Sequence, residues 1–240
     1  MQFTDSHIHL QDYKQKNTQQ NIADMKKLGF AKMICASSHP SDWNKIAHIA
    51  SANSDFVIPA FGVHPWYVSE TNEDWKDELC NYLTNFPNAL VGECGLDNLK
   101  ADKKELQEQI FIYHVELAKS LNRPICIHML KASNQMEKML NNMPDKFMLH
   151  AFGGSLDFLQ KILKRGGFIS LCASARRQKN HIDILTHIPK DKLLIESDGP
   201  YLSDYNVIDE FMSYVAKIKN IDKFELMEQV YQNFKEFCRV

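Results

Sequence analysis

Short apolar runs alternate with longer stretches of helical periodicity from one end of the chain to the other. The runs FTDSHI (3–8), KMICAS (32–37), FVIPAFGV (56–63) and ALVGEC (89–94) read as strands, as do PICIHM (124–129), KFMLHAF (146–152), GFISLC (167–172) and KLLIES (192–197). Each is short and bounded by polar or turn residues, and several are almost unbroken in apolar character, as expected of strands covered on both faces. Between them lie amphipathic segments, the clearest being 103–121. There Leu106, Ile110, Tyr113 or His114, Leu117 and Leu121 recur at helical spacing. Ser41 and Ser155 stand where N-caps belong, and Gly29 and Gly166 where helices stop.

Eight strands with intervening helices match a TIM-like (β/α)8 barrel of α/β class in both count and length. No repeat, low-complexity segment or linker interrupts the alternation, so residues 1–240 are expected to form one domain. The rival is an open doubly wound sheet, but no G-x-G-x-x-G follows a strand.

Composition changes this picture little. The chain is 44% apolar and 24% charged with a net charge of −2, so no overall basic field draws in nucleic acid. The six cysteines form no C-x-x-C pair, and Cys35, Cys94, Cys126 and Cys172 sit in apolar strand-like runs. Reduced, buried thiols and a cytoplasmic setting are the expectation. No basic leader and no apolar run of membrane-spanning length is visible.

Barrel active sites sit at the C-terminal ends of the strands. At or just past those ends stand His7, His9, His64, Glu93, His128, His150 and Asp198. Singly, His128 reads as a satisfied core histidine, and Glu93 or Asp198 as a helix cap or a lysine partner. Repetition at one end of successive strands favours a shared purpose, because buried imidazoles and carboxylates are costly without partners. His7, His9, His128 and His150 with Glu93 and Asp198 offer four nitrogen and two oxygen ligands, a set that suits zinc, and also manganese or iron. Two neighbouring divalent ions bridged by a carboxylate account for that number better than one. His48, His114, His181 and His187 fall in helical stretches, where packing or solvation is the default, and His39 stays outside the site.

The motifs DSHIHL, GVHPW, VGECGLD, PICIHM, LHAFGGS and LLIESDGPYL, with YQNFKEF near the end, resemble in order and spacing those of the TatD-related metal-dependent hydrolases. Members of that family are barrel phosphoesterases, several of them deoxyribonucleases. The resemblance implies that His7, His9 and Asp198 hold one metal, that Glu93 bridges to a second, and that His128 and His150 complete the ligands of that second metal. It further implies that His64 contacts the substrate phosphate, that Glu196 supports the site from behind, and that Asn233 is structural.

Three departures bear on the substrate. After GLD the family commonly has tyrosine and then arginine, whereas NLK here puts Lys100 at the arginine position. After the fifth-strand histidine Leu130 stands where an arginine is frequent, with Lys131 following, and SDYNVIDEF lacks the family's RG and N-x-P. Arginine grips phosphate bidentately and lysine only as a point charge. The expected activity is hydrolysis of a phosphoester, DNA ends cleaved 3′–5′ being one such substrate. Two divalent ions (zinc, manganese, magnesium or iron) would activate water, with Asp198 as proton acceptor and His64, Lys100 and Lys131 facing the phosphate. The alternatives are an amidohydrolase-type attack on a C–N or ester bond, and a metal-bound barrel that binds without catalysing.

Overall fold

A computed structural model describes residues 2–99 and 103–240. Its eight strands are β1 (Phe3–Ile8), β2 (Phe30–Ala36), β3 (Val57–Phe61), β4 (Leu90–Asp97), β5 (Ile125–Leu130), β6 (Phe147–Leu149), β7 (Phe168–Leu171) and β8 (Leu193–Ile195). They pair in parallel in sequence order. Nearly every strand residue is buried, because side chains on one face fill the barrel and those on the other meet helices. Ile34, Ile58, Leu90, Met148, Phe168 and Leu194 pack together with Phe234 and Phe237 in one cluster, separate from the larger apolar layer that joins strands to helices.

The helices are α1 (Thr18–Lys27), α2 (Trp43–Ala52), α3 (Trp75–Asn85), α4 (Lys104–Ser120), α5 (Ser133–Met139), α6 (Leu156–Lys164), α7 (His181–His187), α8 (Ile208–Lys219) and α9 (Lys223–Cys238). The last packs on β1 and β8 and supplies Phe234 and Phe237 to the inner cluster. Asn233 ties it down: its amide donates to the carbonyls of Lys190 and Leu193, each at 2.7 Å.

The seam between first and last strands is fastened by polar contacts. Ser6 Oγ donates to the Ile195 carbonyl at 3.0 Å and lies 2.7 Å from Ser170 Oγ. Buried Asp5 accepts from Ser197 N at 3.0 Å and from Ser197 Oγ at 2.6 Å. Just past the strands, Asp198 N donates to His7 O and His9 N to Gly199 O.

Two local expectations need correction. Ser41 is not the N-cap of α2; the imidazole of His39 accepts Ser41 N–H and caps a short 3-10 turn, Pro40–Asp42, which leads into the helix. The buried face of α4 runs through Gln107, Ile110, Phe111, His114, Val115 and Ala118. Leu106, Tyr113 and Leu117 lie at its margin and Leu121 is exposed, because a polar Gln107 and a polar His114 take core positions that a hydrophobic count misses. Ser155 does cap α6 by accepting Phe158 N–H, and Gly29 and Gly166 lie just beyond α1 and α6.

Candidate metal centre

The strand ends bring together side chains from five of the eight strands or the turns that follow them. His7 and His9 extend from β1, Glu93 lies within β4, His128 within β5, His150 follows β6 and Asp198 follows β8. Glu93 is central. Its Oε2 lies 3.3 Å from His7 Nε2 and 3.4 Å from His9 Nε2. Its Oε1 lies 2.8 Å from His150 Nε2, 3.1 Å from His128 Nδ1 and 3.5 Å from His64 Nε2. Asp198 Oδ1 stands 3.4 Å from His9 Nε2 and 3.9 Å from His7 Nε2. Its backbone holds φ 50°, a left-handed conformation that aspartate tolerates better than most residues.

Close strand approach makes the cluster compact. Gly95, with φ 148°, pairs with His128, and a Cβ there would lie 2.0 Å from the His128 carbonyl. A Cβ on Gly62 would lie 2.6 Å from the Glu93 carbonyl. Neither position admits a side chain, so β3, β4 and β5 bring Glu93 and His128 within contact.

The donor chemistry tests whether these residues fit cations. His9 Nδ1 lies 2.9 Å from the Ala36 carbonyl and must donate to it, which leaves a lone pair on Nε2 in the neutral ring. That lone pair faces His7 Nε2 at 3.2 Å and two carboxylate oxygens. Lone pairs and anionic oxygens converging on one point call for positive charge between them, and this set of imidazoles and carboxylates suits a divalent ion. Three sets of side chains have ligand atoms mutually within 4.8 Å: His7, His9 and Asp198; His7, Glu93 and His150; His64, Glu93 and His128. The residues fit divalent metal.

His64 differs from its neighbours in tautomer. Its Nδ1 accepts the Trp66 backbone N–H at 3.1 Å, so the neutral ring carries its proton on Nε2. Burial pushes its pKa down to about 3, against the pull of Glu93, so that ring is neutral. His64 therefore presents a donor to the cavity, whereas His9 presents a lone pair. Burial favours the neutral acid of Glu93, but the surrounding imidazoles, His150 foremost, outweigh it and hold the carboxyl well below the usual range. Burial likewise works against ionised Asp198, and the neighbouring histidines, His9 and His150 first, outweigh it and hold its pKa below the usual carboxylate value.

His9, His64, Glu93, His128, His150 and Asp198 line a cavity of about 280 Å³ that opens at the strand ends. Its walls are completed by Trp66, Tyr67, Met129, Leu130, Tyr201 and Leu202. Lys131 is not among the lining residues; it is exposed, with φ 54°, just past β5. Lys100 lies outside the described residues. Glu196 stands behind the site, accepting Ala151 N–H at 2.5 Å and lying 3.7 Å from His150 Nδ1.

Three residues here escaped the sequence reading. Asp97 accepts Leu99 N–H at 2.8 Å and the Trp66 indole N–H at 2.5 Å, and lies 3.4 Å from His128 Nε2. Its signal was the two-residue spacing Glu93, Gly95, Asp97, which puts all three on one face of β4. Trp66 and Tyr201 sit in the quoted motifs GVHPW and SDGPYL, but nothing local marks an aromatic residue as cavity wall rather than core.

A parallel eight-stranded barrel with imidazoles and carboxylates gathered at its C-terminal mouth defines a metal-dependent hydrolase. Residues 4–239 match the family described as TatD related DNase, and the chain belongs to that family. It is 27% identical to the human protein named deoxyribonuclease TATDN3, over 95% of this chain and 92% of the relative. It is 30% identical to the 3′-5′ ssDNA/RNA exonuclease TatD of Edwardsiella piscicida, covering 76% of this chain and 73% of the relative. The fold matches the crystal structure of the Escherichia coli TatD homologue YJJV with a TM-score of 0.89, covering 99% and 98% of the two chains at 20% identity.

Proposed function

We propose that the chain, as one hydrolase domain, cleaves phosphodiester bonds at the ends of single-stranded nucleic acid with two divalent ions. The observation that carries this reading is the six-residue cluster of His7, His9, Glu93, His128, His150 and Asp198, with the His64 donor beside it. His7, His9 and Asp198 would hold one ion, His128 and His150 the other, with Glu93 between them. When bound, the ions supply Lewis acidity, lowering the pKa of water and neutralising charge on the phosphoryl oxygens. Zinc, manganese, magnesium and iron all suit this donor set.

The chain's own groups then have distinct tasks. Asp198, ionised, accepts the proton of the attacking water. His64 Nε2–H donates to a phosphate oxygen as negative charge builds there. Water adds across the P–O bond: its hydroxyl joins phosphorus and a proton reaches the departing alkoxide. Lys131 adds positive charge only from outside the cavity. The relatives named as nucleases support the nucleic-acid substrate. The buried free thiols of Cys35, Cys94, Cys126 and Cys172 support a reducing compartment such as the cytoplasm, and no helix among the described residues is long and apolar enough to cross a membrane.

Asp198→Asn tests the assignment. The variant is expected to lose hydrolysis of a chromogenic phosphodiester by at least about 100-fold, the lower end of a general-base contribution, while its far-UV circular dichroism stays unchanged. Undiminished turnover refutes it, and an ester and amide panel run in parallel detects attack on carbon instead. Metal analysis of the purified protein should find two ions per chain.

A further inference from the structure

His7, His9, His128 and His150 each turn one ring nitrogen toward Glu93 and the other away from it. His7, His9 and His150 present Nε2 inward. His128 is reversed: it presents Nδ1, 3.1 Å from Glu93 Oε1 and 3.2 Å from His150 Nε2. The outward nitrogens meet different partners. His9 Nδ1 faces the Ala36 carbonyl at 2.9 Å, His7 Nδ1 the Cys126 thiol at 3.1 Å and His150 Nδ1 the Glu196 carboxylate at 3.7 Å. His128 Nε2 is enclosed without a hydrogen-bond partner among the described residues, and Asp97 Oδ2 lies opposite it at 3.4 Å.

Asp97 is held as an acceptor at that point. It is wholly buried, yet it belongs neither to the cavity wall nor to any of the three ligand sets. Its backbone is gripped from α4: Asp97 N donates to Gln107 Oε1 at 2.9 Å, and Gln107 Nε2 donates to Asp97 O at 3.3 Å. Its Oδ1 accepts Leu99 N–H at 2.8 Å and its Oδ2 the Trp66 indole N–H at 2.5 Å. These contacts fix the carboxylate against rotation. Trp66 serves twice, since its backbone N–H also goes to His64 Nδ1. An ionised carboxylate has no proton to give, so a neutral imidazole nitrogen that bonds to it must carry one.

We infer that Asp97 is a positioning residue for the second ion, fixing the neutral His128 ring with its proton on Nε2. The lone pair then falls on Nδ1, beside Glu93 and His150. A carboxylate behind a ligating imidazole sets its orientation and also raises its basicity. Without Asp97 nothing opposite Nε2 holds the proton there, and the tautomer with Nδ1–H directed at Glu93 competes. That tautomer has no lone pair to offer an ion on the cluster side. The inference rests on the two-ion reading above.

The test uses the whole chain loaded with zinc. Competition with a chromogenic chelator should find two zinc ions on the wild type. In Asp97→Ala one of them should weaken by about 10- to 100-fold, the usual cost of losing such an outer partner, while the other keeps its affinity. Long-range 15N–1H correlation of the imidazoles reads the tautomer, with the His128 signals assigned by their loss in His128→Gln. Zinc-loaded wild type should show the His128 proton on Nε2 and the metal on Nδ1, and Asp97→Ala should lose that pattern. The wild-type spectrum decides the tautomer whether or not Asp97→Ala folds. His128 ligated through Nε2, or an Asp97→Ala variant with wild-type affinity for both ions, overturns the inference and leaves the two-ion reading. A wild type with no zinc on His128 overturns both. The expected Asp97 response without hydrolysis of any diester removes the phosphodiesterase reading and leaves the role of Asp97.

Discussion

His114 offers a prediction whose size follows from its surroundings. It lies in the buried face of α4, fully enclosed and stacked on Trp75 with centroids 5.5 Å apart. Its Nδ1 donates to the Ile110 carbonyl at 2.7 Å, and its Nε2 accepts Val63 N–H at 3.2 Å, one residue before His64. Only the neutral ring can do both, since a second ring proton would face the Val63 N–H. Burial lowers the pKa from 6.5 to about 4, the hydrogen bond to Ile110 opposing it. Above pH 6.5 the ring is neutral whether the chain is folded or not, and it adds no pH dependence. Between 6.5 and 4 the unfolded chain takes up a proton that the folded one refuses, so stability falls as pH falls; below 4 the loss levels off. The full loss is about 3 kcal/mol, and about 2.5 kcal/mol of it is reached by pH 4.5. His114→Gln keeps an amide donor and a carbonyl acceptor but does not titrate in this range. Urea unfolding from pH 7.5 to 4.5 should therefore show the wild type losing about 2.5 kcal/mol more than the variant. Parallel profiles for the two proteins would refute the reasoning.

Gly95→Ala forces a Cβ against the His128 carbonyl at a backbone angle that alanine rarely adopts. The loss should exceed the roughly 1–3 kcal/mol of conformational strain alone; an unchanged melting temperature would show that β4 and β5 do not approach so closely. Asn233→Leu leaves the Lys190 and Leu193 carbonyls without their donor. At about 1–3 kcal/mol for each buried unsatisfied group, the denaturant midpoint should drop clearly, and an unaltered midpoint contradicts the role given to Asn233.

The strands were legible because the barrel buries them on both sides, which writes their positions as apolar runs that turn markers bound. The polar cluster was legible for the complementary reason: His7, Glu93, His128 and Asp198 interrupt or close runs that should otherwise be core. What stayed hidden depends on partners distant in sequence. The capping imidazole of His39 displaced Ser41, a role no propensity assigns to histidine. Asp97 and Trp66 acquire meaning only once β3 and β4 stand side by side. Lys131 follows a site strand, which suits it to a phosphate, yet it is exposed and is not part of the cavity wall that its neighbour Leu130 lines.

The polar seam between β1 and β8 also joins the first ten residues to residues 195–199 in a single latch. His7 and His9 come from the first ten residues, while Asp198 comes from the last fifth of the chain, and their backbones already exchange hydrogen bonds. Bringing such remote segments together carries the entropy cost of closing a very long loop. A divalent ion shared by these three side chains would hold that loop shut, so loading the ion and keeping the cylinder closed become one equilibrium. Chelation would then loosen the protein at its ends as well as silence its chemistry.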